Sequence, residues 1–229
     1  MSYAGDDFWV AYGDYLKESR PRHEAAIDAL DVFAVPSLFS RRVLDLGCGQ
    51  HCSANKLFEA DRYLGVDAHP PAEDKPLRST LRMVNPRPAF LQADYRTELG
   101  TVIDAVLNPP TDSWQLDPLM PELVTSLFSV EITDISDNNY ALYQRIFREL
   151  PTVRFLVASG FYYTDKWTQT AVEEPGGLTS FQSIDLLLPE PEDEDFQEYR
   201  VYLSAPSKLF GPNVVEVWKL LVRRDSLKV

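Results

Sequence analysis

The sequence predicts an α/β fold built on a mainly parallel sheet. Three observations carry that prediction. Arg42 to Asp67 reads as strand, glycine turn, helix, strand and acid, the outline of a βαβ unit that binds nucleotides. Further short apolar runs, at Ala89–Ala93, Leu123–Val130 and Val153–Ala158, read as buried strands. Two late runs, Arg200–Leu203 and Val214–Val222, lie close enough in the chain to pair as a hairpin.

The first unit explains itself physically. Val43-Leu44-Asp45-Leu46 is a strand, and Gly47 and Gly49 follow with only Cys48 between them. Glycines at the carboxyl end of a strand accept unusual backbone angles and let a ligand approach the main chain. A helix-compatible segment covers about 53–60, and Tyr63-Leu64-Gly65-Val66 leads into Asp67. An acid at that place can accept two hydrogen bonds from a ribose diol.

On either side of this unit the elements follow in order. Residues 5–34 form one or two helices, since Phe8, Trp9, Tyr12, Tyr15 and Leu16 recur at helical spacing. Pro21 restarts the chain there, with Ser19 placed to cap the second half. Prolines mark loop at both ends of 68–88, leaving room for a short helix over Leu77–Val84. The region 100–121 is irregular. Leu123–Val130 is preferred as the fourth strand because a capped helix follows it, from about Asn139 to Leu150, where Pro151 stops it. Phe181–Leu188 is a short helix or strand, and the acidic run Pro189–Asp195 is a solvated loop. We find no repeat and no internal boundary, so 1–229 is expected as one domain with 1–34 as a helical cap.

Composition narrows the function. The chain has 229 residues, 45% apolar and 25% charged, the profile of a globular protein. Its net charge of −13 disfavours extended binding to a phosphate backbone. Arg20, Arg22, Arg41 and Arg42 are the candidates for a local basic groove. No apolar run reaches the ~20 residues that span a bilayer, and the acidic start lacks a secretion signal, so a cytoplasmic location is expected. Cys48 and Cys52 flank His51 in a spacing that matches no common zinc site, and both are read as reduced thiols. No metal is expected.

The order Val43–Gly49, Leu64–Asp67 and Leu91–Asp94 resembles the Rossmann-like (class I) S-adenosylmethionine-dependent methyltransferases. Asp45 and Asp67 stand 22 positions apart and Asp67 and Asp94 stand 27 apart, each one βαβ step. The resemblance implies a three-layer α/β/α sandwich with a seven-stranded, mostly parallel sheet and an antiparallel C-terminal hairpin. It implies S-adenosylmethionine as cofactor. By the same resemblance, the backbone of Gly47, Cys48 and Gly49 meets the methionine portion, and Asp45 orients the turn and the cofactor's ammonium. Asp67 holds the ribose, Ala68 packs near the adenine, Asp94 meets the adenine amino group, Tyr95 lies against the ring and Ser126 borders the sulfonium. The family's third glycine is His51 here. A dinucleotide site wants a glycine at Cys52, which disfavours a nicotinamide cofactor.

The implied activity is methyl transfer to a small molecule or a protein side chain. Holding nucleophile, methyl and sulfur in line supplies much of such a rate. Glu131, just past the fourth strand, is the candidate catalytic base, with His23 and His69 behind it. Phe161, Tyr162 and Tyr163 are candidates to line an acceptor pocket. Two alternatives stand beside this reading. Asn108-Pro109-Pro110 resembles the signature of methyltransferases acting on amine nitrogens of nucleic acids, although Thr111 follows where an aromatic residue is expected. A non-catalytic module that binds cofactor or a partner would account for His51 and the missing assured base.

Overall fold

The computed structural model describes residues 6–69, 89–108, 118–129, 138–163, 185–187, 196–209 and 214–224. Among them, Asp6–Asp31 form α1, Arg42–Leu46 β1, Ser53–Leu57 α2, Arg62–Asp67 β2, Ala89–Gln92 β3 and Leu99–Leu107 α3. Leu123–Leu127 form β4, Asn138–Glu149 α4, Phe155–Tyr163 β5, Asp185–Leu187 β6, Phe196–Ser204 β7 and Val214–Arg223 β8. Leu77–Val84 and Glu131 lie outside the described residues, as do the side chains of Phe161, Tyr162 and Tyr163.

One sheet takes all eight strands in the order β3-β2-β1-β4-β5-β8-β7-β6. The seven expected strands are present, and β6 adds a short eighth at the outer edge. β3, β2, β1, β4 and β5 run parallel, β8 runs antiparallel to β5, and β7 antiparallel to β8. The C-terminal hairpin therefore closes the sheet as expected.

The strands are apolar on both faces because helices cover both. Val43, Tyr63, Leu123, Phe155, Val157 and Trp218 join a cluster with Tyr15, Ile27 and Leu30 of α1 and Ala54 of α2. Their neighbours Leu44, Leu64, Val124 and Leu156 face the other way, into Val102 and Val106 of α3 and Tyr143, Ile146 and Phe147 of α4. Alternation along each strand thus builds two cores and three layers. Among the described residues no helix is long and apolar enough to cross a membrane.

Two segments differ from their sequence reading for physical reasons. α1 runs unbroken through Pro21, and Ser19 donates its hydroxyl to the Tyr15 carbonyl at 2.6 Å inside the helix rather than capping a second one. Tertiary packing holds the helix through the proline: Tyr15, Ser19, His23, Ile27 and Leu30 form one buried stripe at helical spacing. The irregular region before Asn108 is helix α3, whose Leu99, Val102, Ile103 and Val106 are buried. Leu123–Leu127 is the fourth strand, hydrogen-bonded between β1 and β5.

Candidate functional site

The strand order reverses between β1 and β4, and in open α/β sheets such a switch point opens a crevice at the strands' carboxyl ends. A pocket of about 210 Å³ lies there, lined by Gly47, Asp67, Ala68, Asp94, Tyr95, Arg96 and Ser129. These residues come from the ends of β1, β2, β3 and β4. Five of the nine expected cofactor residues are thus brought to one place. Arg96 and Ser129 were not expected. Their only sequence signal is adjacency, Arg96 to the Asp94-Tyr95 pair and Ser129 to the end of β4.

The glycine turn is built by its neighbours. Gly47 and Gly49 have φ of 74° and 56°, in the left-handed region that glycine enters at no steric cost. The N–H groups of Gly47 and Cys48 both donate to the Val66 carbonyl, at 2.7 and 3.1 Å. Gly49 N–H donates to Asp67 Oδ2 at 2.9 Å, and His69 N–H donates to Oδ1 at 2.9 Å. Asp67 therefore pins the turn while keeping free lone pairs on both oxygens. A β-carbon on Gly47 would overlap Ser129 Oγ and Cβ and touch the Tyr95 ring at 3.4 Å.

Cys48 does not face the pocket. It is buried beneath β2, and a β-carbon on Gly65 would meet its sulfur at 2.7 Å. Cys48 and Cys52 are both buried free thiols. A hydrogen bond with Cys52 and burial push the Cys48 thiol well above its ordinary range. His51 packs under α1, where a β-carbon on Gly13 would come within 2.9 Å of its Cε1, and its ring lies 6.0 Å from that of Tyr12. The side chain at the third-glycine position is thus part of the seat for the N-terminal helix.

Asp45 is buried on the α1 side of the sheet. Tyr63 donates to its Oδ2 at 2.5 Å and Thr125 to its Oδ1 at 2.7 Å, tying β1 to β2 and β4 just before the turn. Burial pushes its carboxyl up to about 6, against the opposing pull of the two hydroxyls. Asp94 Oδ1 accepts the Arg96 N–H at 3.0 Å, turning the chain into α3. Tyr95 is buried, and its hydroxyl shares a 2.6 Å hydrogen bond with Ser129 Oγ. Burial raises the phenol, more than its hydrogen bonds lower it. Ser126 sits inside β4 with its Oγ buried on the side of the Tyr95 hydroxyl, whose pKa it helps to lower. Ser129, three residues on, is the β4-side hydroxyl that reaches the pocket.

The other candidates lie elsewhere. Asn108 ends α3, and its Nδ2 donates to Asp104 Oδ1 at 3.0 Å; it does not line the pocket. His23 belongs to a buried cluster around Glu216 of β8, whose Oε1 accepts from Tyr15, from Arg22 Nη2 at 2.6 Å and lies 3.3 Å from His23 Nε2. Trp218 Nε1 donates to Oε2 at 3.2 Å. His23 and Arg22 hold Glu216 down at about 2 in spite of its burial. Arg20 pairs with Glu24, Arg22 with Glu216, and Arg41 and Arg42 with Glu122, so each of the four candidate arginines faces an acid.

No family model matches the sequence, and no curated protein matches it. Three solved structures that resemble the fold are methyltransferases. The methyltransferase domain of bacterial CtHen1 shares 14% identity over 88% of this chain and 97% of its own, with a TM-score of 0.39. An S-adenosylmethionine-dependent methyltransferase from Clostridium acetobutylicum shares 12% identity over 95% of this chain and 76% of its own, with a TM-score of 0.31. An antibiotic-related methyltransferase shares 12% identity over 80% and 88%, with a TM-score of 0.31. At such values these are similarities of shape alone.

Proposed function

We propose that this protein is an S-adenosylmethionine-dependent methyltransferase acting on a small molecule or a protein side chain. The observation that carries the reading is the pocket at the switch point. It combines an obligatory glycine, Gly47, with two carboxylates, Asp67 and Asp94, at the ends of successive parallel strands. Those groups suit a nucleoside with an attached cationic chain. Asp67 keeps lone pairs for a ribose diol after holding the turn, and Asp94 keeps lone pairs for an amino group. Ala68 leaves room, and the buried Tyr95 ring offers a flat apolar wall.

When bound, the cofactor supplies a methyl group on a cationic sulfur. The chain's own contribution is to bind, orient and exclude water. Asp45, through Tyr63 and Thr125, fixes the three strands from which the turn springs. The net charge of −13 disfavours a polyanionic acceptor. Glu131 remains the proposed base. Titration calorimetry of the pure protein with S-adenosylmethionine and S-adenosylhomocysteine tests the reading. Binding that is lost in Asp67→Ala and Asp94→Ala is the expected result, and absence of binding to either ligand would overturn it.

A further inference from the structure

The β4 loop is tied down over the glycine turn. Ser129 Oγ bonds to the Tyr95 hydroxyl at 2.6 Å, and Arg96 Nη2 donates to the Ser129 carbonyl at 3.1 Å. Both ties come from the loop after β3, so they cross the mouth of the pocket between the two loops. The Ser129 side chain fills the space that a β-carbon on Gly47 would take.

The residue before it is set in an unusual conformation. Phe128 has φ of 55°, and a bulky side chain in the left-handed region is strained. Its N–H donates to the Ser159 carbonyl at 2.8 Å and lies 3.2 Å from Ser159 Oγ. Its ring packs against His23 at 5.3 Å and Trp218 at 5.6 Å between centroids. The chain is thus bent at Phe128 so that Ser129 turns back over Gly47.

The room left is small. The pocket measures about 210 Å³, whereas sites that bury a whole drug-sized ligand start at about 300 Å³. Its carboxylates stand on the β2 and β3 side, and Ser129 comes in from the β4 side against Gly47. We propose that Ser129 is a latch dividing the site. The part lined by Asp67, Ala68, Asp94 and Tyr95 takes a nucleoside directly, and the amino-acid end of the ligand enters along Gly47 only when the ties from Tyr95 and Arg96 are released. This inference rests on the methyltransferase reading. Its thermodynamic content is a reduced apparent affinity for the full ligand, because only the opened fraction of molecules accepts it.

The test compares two ligands on the full chain: 5′-methylthioadenosine, which has the nucleoside and sulfur but no amino-acid end, and S-adenosylhomocysteine, which has both. Calorimetric affinities are measured for the wild type, Tyr95→Phe, Arg96→Ala and Arg96→Lys. Arg96 is exposed, so its variants fold, and melting temperatures check this. Tyr95→Phe and Arg96→Ala each remove one tie and should raise the preference for S-adenosylhomocysteine over 5′-methylthioadenosine about five-fold. Arg96→Lys should return the ratio toward the wild type. A ratio that stays unchanged or falls in both tie-removing variants, with both ligands still bound, overturns the latch alone. A wild type that binds neither ligand overturns the methyltransferase reading and the latch with it.

Discussion

Gly47 and Ser129 occupy one another's space. The glycine at the end of β1 has no side chain, and the serine past the end of β4 fills the gap. Gly47→Ala would meet both a φ of 74° and that collision. The backbone term alone costs about 1–2 kcal/mol. The variant should melt well below the wild type and lose measurable affinity for S-adenosylhomocysteine. Adding Ser129→Gly should recover part of the melting temperature, because it removes the collision and leaves only the backbone strain. Equal melting temperatures for the single and double variants would contradict the contact.

Glu216 sits at 0% exposure, held ionised by His23 and Arg22, with Tyr15 and Trp218 also donating to it. Its folded value near 2 lies below the ordinary 4.5. The stability it contributes is therefore fully present above 4.5 and is lost as pH falls toward 2, with a size on the order of 3 kcal/mol. Urea unfolding between pH 6 and 3 should show that loss. Glu216→Leu leaves Arg22 and His23 facing an apolar side chain and should cost roughly 3–5 kcal/mol at pH 7.

Asp45 has the opposite pH signature. Its folded value is raised to about 6 from 3.8, so the folded state binds the extra proton between those values. Its contribution to stability therefore grows as pH falls from 6 to 3.8 and is unfavourable above 6. Asp45→Asn keeps a partner for both Tyr63 and Thr125 and removes the buried charge. It should be at least as stable as the wild type at pH 8 in urea titrations, while binding S-adenosylmethionine more weakly.

Gly13 and His51 form a second mutual fit, between α1 and the turn. Alanine in a helix interior is worth about 1 kcal/mol over glycine. Gly13→Ala should gain less than that in the wild type, because its β-carbon meets the imidazole and the ring must shift. In a His51→Ala background the same change should stabilise. A double-mutant cycle of melting temperatures reads the difference.

Asn108→Ala separates the amine-nitrogen alternative from the present reading. Asn108 is exposed, caps the end of α3 and lies off the pocket. The substitution should change stability by less than about 0.5 kcal/mol and leave S-adenosylhomocysteine affinity at the wild-type value.

The parallel core, the glycine turn and the acids ending β2 and β3 were legible because each rests on local chemistry. A buried parallel strand must be apolar along its length, as in Val43–Leu46 and Leu123–Leu127. A strand that turns at once into a helix needs glycine. An acid after an apolar run marks the sheet's carboxyl edge. α3 was not legible: Leu99–Leu107 is short, and its one buried face shows only once β2, β3 and β4 supply the other side of the contact.

What the sequence by itself determined is the sheet's polarity and the place of its crevice, through the run from Val43 to Asp94. Only the tertiary structure decided which side chains share that crevice. It turned Cys48 under Gly65, gave His51 to α1, and set Asp45 between Tyr63 and Thr125. It also brought Arg96 and Ser129, 33 positions apart, across the pocket mouth. The reason is physical: strand and turn are coded by neighbours in the chain, whereas a side chain's direction past a strand end depends on the packing of segments that meet only in the folded protein.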